Sequence, residues 1–260
     1  MLKQRILSAL LLAPIAIAAA WYGNWPFLAL ATLAGIALAW EWSRLCYGRF
    51  TAGGRILAAG AGLLPLTVWL EPKRGLALIG VTLVVSCLPP VPQGRSRWWL
   101  ALGSVYILLP QLALIAIREQ GRWLLLWTLF LVWATDSGAY FAGRLIGGPK
   151  LAPSISPKKT WAGLAGGMAA AALVGWAVRQ GQMPGALHLA ALSAGMAVLA
   201  QAGDLAESGL KRHFGVKDTS QLIPGHGGVF DRLDGLLAVA PAVAALALLW
   251  PGGWDIINGW

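Results

Sequence analysis

The chain has 260 residues, of which 58% are hydrophobic and 12% are charged, and its formal net charge is +10. Soluble domains average about 45–50% apolar and about 25% charged residues, so this composition excludes an ordinary soluble fold and indicates a membrane protein. Basic residues that flank membrane spans and meet anionic lipid headgroups account for the positive charge, so we expect membrane lipid and no nucleic acid as a partner.

Apolar runs of about 20 residues predict membrane-spanning helices. Nine such runs follow one another along the chain, at 6–23, 26–43, 56–70, 75–90, 98–117, 122–142, 162–178, 185–206 and 234–250. The third and fourth are short, and one re-entrant pair is an alternative for them. We therefore expect an all-α polytopic membrane protein of about nine transmembrane helices. In this prediction, residues 1–120 form a scaffold and residues 121–260 form a catalytic region with polar loops at 143–161 and 207–233.

The distribution of basic residues predicts the orientation of these spans. With the N-terminus in the cytoplasm, fifteen Lys and Arg residues fall inside, and five fall outside: Lys73, Arg74, Arg118, Arg122 and Arg179. Cytoplasmic loops carry an excess of Lys and Arg, so the pattern favours an N-in, C-out protein with both polar loops in the cytoplasm. We expect a multi-pass plasma membrane protein, such as one of a bacterial inner membrane.

Acidic residues lie at the predicted cytoplasmic ends of three spans, together with other polar residues at helical spacing. These residues are Asp136, Tyr140 and Arg144 along the end of the sixth span, Asp204, Glu207, Ser208 and Lys211 at the mouth of the eighth, and Asp231 and Asp234 where the ninth begins. Residues three or four apart share a helix face. Carboxylate oxygens bind Mg²⁺ and basic side chains bind phosphate, so the set predicts a phosphate site. A solvated rim of ion pairs is the alternative.

The two polar loops contain further candidate residues. In the first loop, Pro157 is predicted to begin the seventh span as its first helical residue. Lys158 and Lys159 would follow it. Their positive charges are unfavourable at a helix N-terminus, and a bound anion would offset this cost. An ordinary positive-inside loop is the alternative. In the second loop, glycines surround His226. This histidine is interpreted as a phosphate donor or general acid, with a structural turn as the alternative.

Together these motifs resemble the signature of the phosphatidate cytidylyltransferase family. The string SGLKRHFGVKDTSQLIPGHGGVFDRLD, residues 208–234, is similar to the family's S-x-x-K-R, K-D, P-G-H-G-G and D-R-x-D segments. Residues 203–208 are similar to its G-D-L-x-E-S segment, and residues 136–140 and 156–161 also resemble its motifs. The Thr-Ser-Gln run at 219–221 replaces a smaller Ser-Gly type of segment, which we expect to alter the loop shape.

The resemblance implies transfer of a cytidylyl group from CTP to phosphatidic acid, giving CDP-diacylglycerol and pyrophosphate in phospholipid biosynthesis. It implies Mg²⁺ as the cofactor, and a second cation is left open. The residues implied as catalytic are Asp204, Asp231, Lys211, Arg232 and His226. Those implied in substrate binding are Ser208, Lys211, Arg212, Lys217, Lys158, Lys159 and Arg144, and those implied as metal ligands are Asp204, Asp231, Asp136 and Asp234.

Two other functions remain as alternatives at this point. A CTP-dependent polyprenol or dolichol kinase would also need acidic and basic groups at the cytoplasmic face, but it would release CDP instead of pyrophosphate. An organic-ion transporter would place its acids near the midplane of the membrane, whereas here they lie towards one side. Small-residue helix faces permit a homodimer. Residues 1–130 contain no recognisable chemistry and are expected to form a scaffold.

Overall fold

The computed structural model of the chain describes residues 2–71, 73–179, 185–223, 225 and 227–249, with side chains from residue 10 onward. Within these ranges the protein forms nine helices and one short β-hairpin. The elements are α1 (Leu2–Tyr22), α2 (Asn24–Tyr47), α3 (Ala52–Leu70), α4 (Arg74–Ser86), α5 (Trp98–Gln120), α6 (Arg122–Leu145), β1 (Lys150–Ala152), β2 (Ser156–Thr160), α7 (Trp161–Val178), α8 (Gly185–His213) and α9 (Phe230–Leu249).

Seven of these helices are long and apolar enough to cross a membrane: α2, α3 and α5 to α9. Large apolar side chains such as Leu33, Leu63 and Leu173 are exposed on them, as helices surrounded by lipid require. Helix α4 and the part of α1 from Leu10 onward are shorter apolar helices. The structure confirms a helical, multi-pass membrane protein. The count of nine spans and their orientation stay predictions.

The segment predicted as a loop at 143–161 contains the hairpin. Strands β1 and β2 pair antiparallel, with Lys150 opposite Thr160. The prediction that Pro157 begins the seventh span is wrong, because β2 is extended through Thr160 and α7 begins at Trp161. Thr160 caps α7 instead, since its Oγ1 accepts a hydrogen bond of 3.0 Å from the Gly163 amide.

The eighth helix extends further than the sequence predicts. We expected the polar loop to begin at residue 207, but α8 continues to His213. The spacing of Asp204, Glu207, Ser208 and Lys211 on one helical stripe is therefore confirmed.

The chain divides into two compact units. The first comprises Met1–Arg118 and His213–Leu233, and the second comprises Glu119–Arg212 and Asp234–Trp260. In the first unit, the buried Gln111 of α5 donates hydrogen bonds to Ala31 of α2 at 3.0 Å and to Ala61 of α3 at 2.9 Å. This side chain ties three helices together. The segment 213–233 thus belongs to the same unit as the N-terminal helices.

In the second unit, glycines bring α6 and α7 together. A Cβ atom on Gly166 would lie 2.9 Å from the Gly138 carbonyl oxygen, and one on Gly167 would lie 3.0 Å from the Thr135 carbonyl oxygen. Small residues allow such close backbone approach in membrane helices. Trp127 of α6 donates a hydrogen bond of 3.0 Å to Ser193 of α8, and both side chains are buried.

Candidate active site

Three carboxylates converge in the second unit. Asp204 and Glu207 lie one turn apart on α8, and Asp234 lies on α9. One oxygen atom from each lies within 4.8 Å of the others. The two helices can approach here because of Gly203, where a Cβ atom would lie 2.8 Å from the Asp234 carbonyl oxygen. The sequence assigned Asp204 and Asp234 to the metal set but placed Glu207 only on the polar stripe.

Two lysines lie against these carboxylates. Lys159 Nζ is 2.6 Å from Asp204 Oδ2, and Lys211 Nζ is 3.1 Å from Glu207 Oε2. Lys159 also donates a hydrogen bond of 3.4 Å to the Gln201 carbonyl oxygen, and Ser208 Oγ donates one of 3.4 Å to Asp204 Oδ1. The hairpin and α8 therefore contribute to one polar cluster, which we call the acidic cluster: Asp204, Glu207 and Asp234 with Lys159 and Lys211.

A fourth carboxylate, Asp136 of α6, acts on this cluster electrostatically. Asp234 is partly buried, and Asp136, Asp204 and Lys159 are all near enough to interact with it electrostatically. Helices α6, α8 and α9 thus each supply an acid to this region of the second unit, while the common membrane depth predicted for these acids stays a prediction. The region thus contains four carboxyl groups and the two lysines paired with Asp204 and Glu207.

The donor set fits a hard divalent cation. Such cations take oxygen ligands, and carboxylates are their usual protein ligands. Asp204, Glu207 and Asp234 offer three carboxyl oxygens at one point, and a bound cation would offset their negative charge. With the adjacent lysines, the arrangement suits phosphate chemistry, in which a metal ion and basic side chains hold anionic oxygens.

Asp231 has different surroundings, in the first unit. Its Oδ2 accepts hydrogen bonds from the Thr219 amide at 3.1 Å, Thr219 Oγ1 at 3.0 Å and the Gly228 amide at 2.8 Å. Asp231 lies in the first turn of α9, where a carboxylate is favoured by the helix dipole. Its observed contacts hold the polar loop between α8 and α9. The predicted ligand role of Asp231 stays a prediction.

Glu41 is the residue that the sequence analysis missed. It lies on α2, is fully buried, and accepts hydrogen bonds from the amides of Val229 at 2.9 Å and Phe230 at 2.7 Å. The Ser220 hydroxyl also donates to it, and the Thr219 hydroxyl, whose proton is shared with Asp231, lies 3.4 Å away. A signal was present in the sequence, since a carboxylate inside an apolar span is costly and normally has a partner or a function.

A polar cleft of about 740 Å³ lies beside this loop in the first unit. It is lined by Trp40 and Arg44 of α2 and by residues 216–222 of the loop, including Lys217. The Arg44 guanidinium lies over the Trp40 ring, 4.8 Å from its centroid. The lining also includes the Asp218 carboxylate. The two cationic side chains still outnumber it, so with the indole the cleft suits an anionic ligand that also has a flat or apolar part.

The remaining predicted site residues that the structure describes lie on α6, β2, α8 and α9. Arg144 donates a hydrogen bond of 2.8 Å to the Tyr140 hydroxyl, one turn earlier on α6. Lys158, on the strand beside Lys159, is exposed, as are Arg212 and Arg232. His226 lies outside the described residues.

Comparison with known proteins gives one consistent family. The sequence model of the cytidylyltransferase family matches residues 3–250. The chain is similar to the phosphatidate cytidylyltransferase of Brucella suis, at 40% identity over 245 residues that cover 92% of this chain and 90% of the relative.

Two further relatives with the same name extend the similarity to nearly full length. The phosphatidate cytidylyltransferase of Pseudomonas aeruginosa is 40% identical over 98% of this chain and 99% of its own. That of Bacillus subtilis is 33% identical over 96% of this chain and 98% of its own. The similarity therefore includes the N-terminal helices as well as the signature loops.

Proposed function

Because the chain belongs to the cytidylyltransferase family, we propose that it transfers a cytidylyl group from CTP to phosphatidic acid, giving CDP-diacylglycerol and pyrophosphate. The relatives of this length are named for that activity. The observation that carries the proposal is the acidic cluster, in which three carboxylates converge and two of them are paired with lysines. Enzymes that handle polyphosphates need both kinds of group.

The reaction joins two anions, and it forms one phosphorus–oxygen bond while it breaks another. A phosphate oxygen of phosphatidic acid attacks the α-phosphorus of CTP and forms a new phosphorus–oxygen bond. The bond from that phosphorus to the oxygen bridging to the β-phosphorus breaks, and pyrophosphate leaves with the electron pair. The attacking phosphate is already an anion, so no strong general base is needed. The main barrier is charge repulsion, which positioned cations reduce.

Asp204, Glu207 and Asp234 would hold Mg²⁺, with Asp136 adding negative charge and Asp231 as a further ligand implied by the family resemblance. Bound Mg²⁺ would neutralise negative charge on the phosphate oxygens. Lys159 and Lys211 are held by carboxylates at 2.6 Å and 3.1 Å, so their ammonium groups are already placed beside the ligands. Ser208 orients Asp204 through its hydrogen bond.

In the first unit, the cleft with Lys217 and Arg44 is suited to an anionic substrate group. We assign it to the nucleotide, because the Trp40 ring beside Arg44 offers a stacking surface as well. Arg212 and Arg232 are exposed and are proposed to hold further phosphate charge. Arg144 and Lys158 are proposed for the lipid headgroup.

The chain is proposed to lie in the bacterial inner membrane with these residues at its cytoplasmic face. The fifteen-to-five excess of predicted inside basic residues supports this orientation. CTP would then enter from water, and phosphatidic acid would enter laterally from the inner leaflet.

A pyrophosphate-release assay on detergent-purified protein tests the proposal. We expect release only when CTP, phosphatidic acid and Mg²⁺ are all present, and none from Asp204→Asn purified in the same way. Release that does not need phosphatidic acid, or no release in a lipid environment that keeps the protein folded, would contradict the proposal.

A further inference from the structure

Glu41 links an N-terminal helix to the loop that bears the family signature. Its two carboxylate oxygens face four donors, all from residues 219–230. Oε1 accepts from the Ser220 hydroxyl and the Val229 amide, and Oε2 accepts from the Phe230 amide and lies 3.4 Å from the Thr219 hydroxyl, whose one proton is shared with Asp231. Both ends of the loop segment therefore meet at one side chain that is 0% exposed.

The chemistry of this contact requires a carboxylate. The amides of Val229 and Phe230 lie at the start of α9, where backbone N–H groups have no partner within the helix. A carboxylate only accepts hydrogen bonds and favours the positive end of the helix dipole. Hydrogen bonds with an ionised partner are also stronger than neutral ones. Glu41 thus caps α9 from a different helix.

Several side chains of the loop are not buried. Lys217, Asp218, Gln221 and Leu222 are all exposed, so the segment has little core of its own. Its internal contacts include a backbone bridge between Ile223 and Gly227 and the hydrogen bonds that Asp231 accepts from the Thr219 hydroxyl and the Gly228 amide. Two carboxylates, one from α2 and one from α9, therefore hold the loop from two sides.

Gly228 shows how closely the loop approaches Glu41. A Cβ atom at this position would lie 2.6 Å from Glu41 Oε1 and would also overlap the Thr219 hydroxyl oxygen. Real Cβ atoms do not occupy such positions, so the backbone comes close to the carboxylate because residue 228 has no side chain.

We propose that Glu41 is a positioning residue of the enzyme: it fixes the loop so that Lys217 faces the cleft and binds the nucleotide. This role rests on the proposed function. Glu41 itself touches no substrate in this account. Its effect on the reaction passes through the loop backbone, and the N-terminal region is then part of the catalytic machinery as well as a scaffold.

The test compares Glu41→Gln with Lys217→Ala in steady-state assays of both substrates. Glutamine keeps the size but turns one oxygen into a donor that faces other donors, so the loop should lose its fixed shape. We expect both variants to raise the KM for CTP about tenfold and to change the KM for phosphatidic acid less than twofold. Ser220→Ala, which removes one of the four donors, should raise the KM for CTP by a smaller factor.

The matched control is Gln111→Met, which removes the hydrogen bonds of another buried polar side chain in the same unit. It should lower the thermal midpoint about as much as Glu41→Gln without changing either KM. If the KM for CTP of Glu41→Gln stays within twofold of wild type, the proposal is overturned, whatever happens to thermal stability.

Limited trypsin digestion separates this proposal from the proposed function. Cleavage after Lys217 should be at least about tenfold faster in Glu41→Gln than in Gln111→Met, because the loop must open for the protease. If wild-type protein releases no pyrophosphate, the proposed reaction fails, while faster cleavage would still support Glu41 as the residue that holds the loop. Equal cleavage rates would overturn the positioning role in either case.

Discussion

Lys159 Nζ lies 2.6 Å from Asp204 Oδ2, and this ion pair joins the hairpin to α8. The two side chains are 15% and 29% exposed, so they are screened less than a surface pair, which typically contributes about 0–1 kcal/mol. The pair places a cation beside a proposed metal ligand before any substrate arrives. A pre-positioned charge of this kind acts on the transition state without reorganising during the reaction.

Replacing Lys159 should therefore impair catalysis. We expect Lys159→Met to lower kcat about a hundredfold, since loss of one positioned charge-stabilising group typically costs that much. Lys150→Met is the matched control, because Lys150 is an exposed lysine on the partner strand. It should retain activity within about twofold of wild type. Steady-state pyrophosphate release measures both, and equal losses in the two variants would contradict a specific role for Lys159.

The acidic cluster should determine the requirement for Mg²⁺. Removal of divalent cations with EDTA should abolish activity, and added Mg²⁺ should restore it. Asp204→Asn, Glu207→Gln and Asp234→Asn should each weaken Mg²⁺ binding about tenfold or more, because each removes one anionic ligand. Isothermal titration with Mn²⁺ in place of Mg²⁺ measures binding independently of turnover.

Asp231→Asn distinguishes a metal ligand from a residue that only stabilises the loop through hydrogen bonds. If Asp231 binds the metal ion, its variant should weaken Mn²⁺ binding as much as the cluster variants do. If its three hydrogen bonds to Thr219 and Gly228 are its whole role, Mn²⁺ binding should be unchanged while the loop becomes more sensitive to trypsin. Activity near wild type at saturating Mg²⁺ would argue against the ligand role.

Gly228→Ala should be poorly tolerated. The added methyl group would overlap Thr219 and the Glu41 carboxylate, and overpacking of this kind costs about 1–3 kcal/mol. We expect a large loss of kcat/KM for CTP together with a lower thermal midpoint. Gly80→Ala in α4 is the control, because nothing lies within 4 Å of a Cβ atom there. A Gly228→Ala variant with wild-type kinetics would show that the loop can shift freely.

Arg44 tests the assignment of the cleft to the nucleotide. Arg44→Ala removes a cation that lines the cleft with Lys217, and we expect the KM for CTP to rise about tenfold, equivalent to about 1.4 kcal/mol. Arg49, which is exposed and does not line this cleft, gives the matched control Arg49→Ala. A rise in the KM for phosphatidic acid instead would reassign the cleft to the lipid headgroup.

Much of the helical fold could be predicted from hydropathy, because lipid requires long apolar helices whose backbone hydrogen bonds are internal. The polar stripe on α8 was predictable for a related reason, since its residues are close in sequence. The hairpin was missed because Ser156-Pro157 was interpreted as a helix start, while pairing with Lys150–Ala152 determines its extended shape. The local sequence around Ser156-Pro157 does not reveal that pairing.

The part of the site that sequence reasoning missed depends on long-range contacts. Glu41 is separated from Phe230 by 189 positions, so no local motif relates them. Glu207 was placed on the polar stripe, but its convergence with Asp234 depends on the close approach of α8 and α9 at Gly203. Such relationships follow from tertiary packing, which a single sequence does not specify by spacing alone.

The most direct test of the central claim follows the phosphorus atoms of CTP. Purified protein is incubated with phosphatidic acid, Mg²⁺ and CTP that is labelled either at the α-phosphorus or at the γ-phosphorus, and the lipid products are separated. We expect the α label to enter the lipid as CDP-diacylglycerol and the γ label to leave as pyrophosphate. Transfer of the γ label to a lipid, with release of CDP, would contradict it and identify a lipid kinase.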